Sequence, residues 1–384
     1  MTHPVMRIAA DPAAAVERFA QSPLVPGIAV AGVVEGEVAV AAGGEADLDT
    51  RFRPGSITKL LTATVVAQCA EDGLLGLDDP LSSYVGGFDE RITIRHLVTH
   101  SSGIDAGDVF VDTGDDDGAL HRYIEMLQGA GRLFDPGATF SYCNGGFALA
   151  GHVVALVREL PWEEVMRHHL FEPLGMTGST FEPTDAPFES GQFLSGGMTR
   201  ALGPAGGTLV STATDMGRFL ADHLAHAERS WMRQLAAPAP GGVALMQGAG
   251  TGWMVWHGSS RVGGANPGHS GYLVVDDEGT CAIAALTTGE QGVNAVAMEL
   301  DGAAPKPPDP GPPPTDLQQY EGVYRSHIMQ VALRVVDGTL TAEVNGASAP
   351  LVPQDAHTFT SMLGPIALFD DLARWRMRCL RKIS

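Results

Sequence analysis

Residues 54–60 read Pro-Gly-Ser-Ile-Thr-Lys-Leu. From Ser56 to about Asp72 the apolar residues Ile57, Leu60, Leu61 and Val65 recur at helical spacing, and Gly73 follows as a stop. Pro54-Gly55 therefore ends a loop at a helix start, and Ser56 and Lys59, three residues apart, share one helical face. Unpaired backbone N–H groups and the helix dipole favour negative charge there, which suits a developing oxyanion. A lysine taken out of water gives up its proton more readily, and the neutral amine can then deprotonate a serine. The bland alternative is a serine cap followed one turn later by a surface lysine. Composition weighs against it. Of the 24 basic residues only Lys59, Lys306 and Lys382 are lysine, leaving 24 − 3 = 21 arginines. A position that keeps lysine in such a chain suits work that arginine cannot do, such as losing a proton near neutrality.

The chain has 384 residues, 44% hydrophobic and 18% charged, as expected of a folded protein with a sizeable core. Its formal charge of −21 argues against nucleic acid and against an anionic membrane surface. No apolar run approaches the roughly 18 residues that a spanning helix needs. The N-terminal stretch lacks the basic start and unbroken apolar segment of a secretory signal. Cys69, Cys143, Cys281 and Cys379 are scattered with no CxxC pair, so free thiols and a cytoplasmic location are expected.

The clearest boundary is the run 303–314, with seven prolines between 305 and 314, which favours an extended, semi-rigid spacer. Three parts are expected: a catalytic domain over 1–302, the linker over 303–314, and a small β domain over 315–384. The linker suggests that this tail is separable. Gly27–Val34 and Glu37–Ala42 read as a hairpin. The middle, about Leu81 to Ala237, is mostly helical, including Phe147–Leu160, a helix opened by Pro161 and one capped by Thr212. Strands return at Trp253–His257, Tyr272–Asp276 and Cys281–Thr287, and a helix over about Gly292–Leu300 leads to the linker. After it, Val331–Val335, Leu340–Val344 and Ala373–Leu380 read as strands. The fold class is thus α/β of the α+β type, with one sheet built from both ends of the domain and a helical lobe inserted between.

Two further elements carry chemistry. In Tyr142-Cys143-Asn144, residues i and i+2 of an extended loop face one cleft, where a tyrosine can shuttle a proton and an asparagine can bind an amide; Cys143 reads as a small packed residue. Gly268-His269-Ser270-Gly271-Tyr272 opens a strand, and a sheet-edge strand beside the nucleophile can lend an N–H to an oxyanion hole. In isolation His269 would read as a turn histidine with a local hydrogen bond.

Together these elements resemble the serine hydrolases related to class C β-lactamases, D-alanyl-D-alanine carboxypeptidases and family VIII esterases, which show S-x-x-K, Y-x-N and K-T-G or H-x-G in this order. The stretches LDDPLSSYV (77–85), ITIRHLVTHSSGI (92–104), PLGMTGST (173–180) and GGTLVSTATDMGRF (206–219) match as well. The resemblance spans roughly residues 20 to 300 and implies an antiparallel sheet flanked by helices, with the site between sheet and helical lobe. It implies that Ser56 is the acylated nucleophile, Lys59 the base, and Tyr142 the acid/base toward the leaving group. Asn144 positions the substrate, and His269 orients Tyr142 or the substrate's polar end. Ser270 and Gly271 line the substrate site, and the N–H groups of Ser56 and Tyr272 form the oxyanion hole. His269-Ser270-Gly271, where β-lactamases have lysine, favours the esterase and peptidase branch. Leu317–Tyr324 resembles the first strand of lipocalin-like domains, and about 70 residues suggest a partial one.

His96 and His100 have the spacing of a zinc pair but lack the glutamate neighbour and third ligand, and are read as structural. His168 and His169 point to different helix faces. The acidic run 112–118 fails the EF-hand pattern and reads as a solvated loop. No metal and no organic cofactor is expected. The leading expectation is hydrolysis of a small-molecule ester or peptide-like amide. An acyl thioester bound to a carrier protein or coenzyme is a further expected substrate class. The alternative is an acyltransferase that uses the same acyl-enzyme and sends the acyl group to an amine or alcohol. A non-catalytic binding protein of this fold is third, and has no reason to keep Ser56, Lys59, Tyr142 and Asn144 together.

Overall fold

The computed structural model describes residues 3–107, 109–181, 199–239, 246–289, 291–302, 314–355, 357–369 and 371–383. Most of the expected linker therefore lies outside the described residues. The main sheet holds β1 (Gly27–Val34), β2 (Glu37–Gly44), β3 (Ala237–Pro238), β4 (Met246–Ala249), β5 (Met254–Trp256), β6 (Ser259–Asn266), β7 (His269–Asp276) and β8 (Cys281–Thr288). Their order is β2-β1-β8-β7-β6-β5-β4-β3, antiparallel throughout. Alternation sends β1 residues to two cores. Ala29, Ala31 and Val33 face the helical lobe, whereas Ile28 and Val30 face the terminal helices Pro4–Ala10, Pro12–Phe19 and Val293–Gly302.

The helix Thr58–Glu71 runs through the larger core. Eleven of its 14 residues are buried, so it is apolar nearly all round and Lys59 lies inside with the rest. The helix Asn144–Arg158 packs beside it. Thr212 caps the helix Ala213–Ala225 by accepting the Asp215 N–H at 3.2 Å.

That last helix carries a buried base. His223 Nε2 accepts the indole N–H of Trp253 at 3.2 Å, and burial, aided by Arg233, pushes its pKa down to about 3. Unfolded, the same imidazole binds a proton near pH 6.5. Below that pH the unfolded chain gains a proton that the folded chain refuses. The stabilisation is therefore complete above about 6.5 and is lost progressively toward 3, at about 1.4 kcal/mol per pH unit. Melting temperatures at pH 7 and pH 5 should drop for the natural chain and drop less for His223→Phe; equal drops would contradict this.

The tail forms a second sheet: β9 (Gly322–Arg325), β10 (Gln330–Val336), β11 (Thr339–Val344), β12 (Ala347–Pro350), β13 (Val352–Pro353), β14 (Thr358–Thr360), β15 (Ile366–Phe369), β16 (Leu372–Trp375) and β17 (Arg378–Lys382). β12 and β13 are one strand broken at Leu351, whose N–H donates to Leu340 O at 2.8 Å. That strand pairs with β11 on one side and β14 on the other, and β17 pairs back onto β9. Among the described residues the sheet therefore closes into an eight-stranded up-and-down barrel with no free edge. Phe359, Ile366, Leu368, Trp375 and Tyr324 help fill it. Two expectations need correction. The barrel is whole rather than partial, because its strands are mostly short. Ala373–Leu380 is not one strand but two, turned at Arg376 with φ +55°. A left-handed turn residue without glycine or asparagine leaves little trace in sequence.

Candidate active site

Ser56 sits in the 3₁₀ turn Gly55–Ile57 that leads into the helix Thr58–Glu71. Two close backbone approaches fix this turn. Gly55 has φ +59°, and a Cβ there would come within 2.6 Å of Ala265 O. A Cβ on Gly264 would fall 2.1 Å from Pro54 O and 2.5 Å from Ser56 N. Only glycine permits both approaches. β5 pairs only with Ser259–Arg261 of β6, so Val262–Asn266 keep β7 on one side and present the other edge to the Ser56 turn.

Lys59 is 2% exposed. Its Nζ donates to Ser56 Oγ at 3.0 Å and to the Ala205 carbonyl. The segment bearing that carbonyl is held by Thr62 Oγ1 donating to Pro204 O at 2.9 Å and Asn266 Nδ2 donating to Gly206 O at 3.3 Å. Tyr142 Oη donates to Ser56 Oγ at 2.8 Å. Amine and phenol thus converge on the serine oxygen.

The Tyr142 ring stacks on His100, with centroids 4.4 Å apart and planes at 28°. Lys59 Nζ lies 4.8 Å from the Tyr142 centroid. His100 is buried, and its Nδ1 accepts the Cys143 N–H at 3.0 Å. Burial, with Lys59 and Arg378 adding to it, holds the imidazole pKa well below its usual range, which keeps His100 neutral. Its structural reading stands, and its place is the support under Tyr142. Asn144 begins the helix Asn144–Arg158 two residues on, is 5% exposed, and its N–H donates to Gly107 O at 3.0 Å.

The third expected element is placed elsewhere. β7 lies between β8 and β6 and is not the strand against Ser56. Tyr272 is bracketed in register by Gly263 and Ala285, so its N–H lies inside the ladder rather than at an oxyanion site. Its ring is in the core with Ile8 and Val274, where burial raises the phenol pKa. Ser270 is fully buried and bonds Thr287 Oγ1 and Gly289 O, both at 2.8 Å, so it cannot meet a substrate. His269 Nδ1 accepts the Arg53 N–H at 2.9 Å and its ring packs edge-on to Phe52, so it buttresses the run leading to Ser56. Burial first and Arg53 second lower its pKa. Gly271 is small because Ile57 Cδ1 would lie 2.7 Å from a Cβ there. What sequence reading missed is β6. Its signal was Gly263-Gly264, adjacent glycines in an otherwise strand-like run, which mark a close backbone approach.

His96 closes a capping box with Thr93 at the helix Ile94–Val98. The acidic run is tied down by Arg122 to Asp116 and Arg200 to Asp117. Among the described residues no cluster suited to a metal ion is found, and no helix is long and apolar enough to cross a membrane.

Ser56 thus stands at a buried helix start, between an eight-stranded antiparallel sheet and a helical lobe. A family model described as beta-lactamase matches residues 13–304, and the chain belongs to that family, whose members are serine hydrolases and acyltransferases. Penicillin-binding protein 4 of Amycolatopsis lactamdurans is 32% identical over 310 residues, covering 69% of this chain and 81% of that protein. Monacolin J acid methylbutanoyltransferase of Aspergillus terreus is 30% identical over 173 residues, 36% of this chain and 40% of the transferase. Among solved structures, SurE with D-Leu matches with a TM-score of 0.78 over 99% of both chains at 24% identity. That likeness of fold runs through the barrel.

Proposed function

We propose that the chain is a serine acyl-enzyme hydrolase acting on an ester or peptide-like amide. The observation that carries this reading is the convergence of Lys59 Nζ and Tyr142 Oη on Ser56 Oγ, at 3.0 and 2.8 Å. Ser56 attacks the carbonyl carbon as Lys59 takes the hydroxyl proton, and Tyr142 delivers a proton to the leaving oxygen or nitrogen. The N–H of Ser56 and that of Ala265, on the edge of β6, face the developing oxyanion, in place of the Tyr272 N–H. Asn144 holds the substrate's amide. Water then attacks the acyl-enzyme by the reverse proton path. The acyl donor carries a peptide-like chain with a D-residue, a choice supported by the D-Leu in the structural neighbour. Four free, buried cysteines fit a cytoplasmic site of action.

Acyl transfer to an amine or alcohol is the second reading. It draws support from the methylbutanoyltransferase relative. The deciding experiment gives the enzyme paired D- and L-configured aminoacyl esters together with millimolar amines and alcohols, and quantifies the products. Free acid as the main product, formed faster from the D-ester, is expected. One acceptor capturing most of the acyl group would reverse the ranking, and an L-preference would remove the D-residue assignment.

A further inference from the structure

The barrel turn between β16 and β17 reaches the site. Tyr142 N–H donates to Met377 O at 2.7 Å. Cys379 N–H donates to Ser141 Oγ at 3.0 Å, and Cys379 Sγ to Phe140 O at 3.5 Å. Met377 joins a small apolar cluster with Phe140, Ala237 and Met246. On its other flank the Phe140–Tyr142 segment is held by Phe140 N–H to Pro238 O at 3.1 Å and Ser141 N–H to His100 O at 2.8 Å. The segment that aims Tyr142 is thus clamped between the catalytic domain and the barrel. A second barrel contact, His327 N–H to Asp105 Oδ1 at 2.9 Å, pins the neighbouring loop.

The same turn carries a cation. Arg378 Cζ lies 5.2 Å from the Tyr142 ring centroid. Its stem passes Gly107, where a Cβ would come within 3.6 Å of Arg378 Nε. Resting on the proton-transfer reading above, we propose that Arg378 is a positioning residue: a guanidinium supplied by the barrel that holds the Tyr142 ring in line with Ser56 and favours the phenol's charge during proton transfer. A cation over an aromatic face is attracted by the ring's electron density, and more so once the ring turns anionic. Small misplacements of a proton-transfer group are costly in rate. The titratable and charged groups recorded around this ring among the described residues are Lys59 on the helix Thr58–Glu71, His100 on the loop after Ile94–Val98, and Arg378 itself. His100 is neutral and Lys59 is charged only after it has taken the serine proton, so Arg378 is the standing cation at this ring. The barrel is then part of the catalytic centre rather than a separable tail.

The test measures the rate at which a fluorophosphonate modifies the full-length protein from pH 5 to 9, with melting curves as a check on folding. Arg378→Gln should slow modification on the order of tenfold and move the acid-side limb of the profile to higher pH. Arg378→Lys should restore part of the rate, because it returns a cation without the broad, planar guanidinium. In a Tyr142→Phe background, itself slow, Arg378→Gln should add little. An unmoved pH limb, no gain with lysine, or a full-strength Arg378 effect in the Tyr142→Phe background would overturn this inference alone. A fully active Tyr142→Phe protein would overturn the proton-transfer reading and this inference with it.

Discussion

Replacing Lys59 with arginine is expected to reduce turnover a hundredfold or more, about as severely as replacing it with alanine. The argument is one of protons rather than charge. Lys59 Nζ contacts Ser56 Oγ and the Ala205 carbonyl, and the lysine side chain is buried. Arginine keeps a positive charge there but does not release it in this pH range. It is also bulkier, in a pocket closed by the Tyr142 and Phe147 rings at 4.8 and 5.9 Å from Nζ. If the loss came from bulk alone, melting temperature would fall with activity, and Lys59→Met would retain most of the rate. The account predicts that Lys59→Met folds and is as slow as Lys59→Arg. Near-normal turnover in Lys59→Arg would reduce Lys59 to an electrostatic partner.

How much of this centre is legible in sequence depends on the distance over which each contact is made. Ser56 and Lys59 are three residues apart on one helix, so local periodicity is enough to pair them. Tyr142 is 86 positions from Ser56, and only the resemblance to a known family joins the two. The third element misleads because the deciding fact is strand order. Nothing local says that β6, and not the neighbouring β7, borders the Ser56 turn, since that choice is made by pairing with β8 and by the short reach of β5. His269, set between Gly268 and Ser270-Gly271, has the look of a site residue, while its hydrogen bond goes to the Arg53 amide. The barrel is partly legible. The alternation in Val331, Leu333 and Val335 is plain, but closure depends on a break at Leu351 and on β17 returning to β9. The turn that reaches Tyr142 lies inside what reads as one continuous strand.

Ser56→Ala is expected to have the largest effect of all, because it removes the atom to which the acyl group is attached. The rest of the centre should survive the change. Lys59 keeps the Ala205 carbonyl, Tyr142 keeps its stack on His100, and the turn is fixed by Gly55 and Gly264 rather than by the serine hydroxyl. The variant should therefore melt close to the natural chain, while catalysis and covalent labelling both disappear. Mass spectrometry after treatment with a fluorophosphonate or an activated ester tests the central claim most directly. The account predicts one adduct per chain, located on the peptide that contains Ser56, and none on Ser56→Ala. An adduct on another residue, or undiminished labelling of Ser56→Ala, would contradict it.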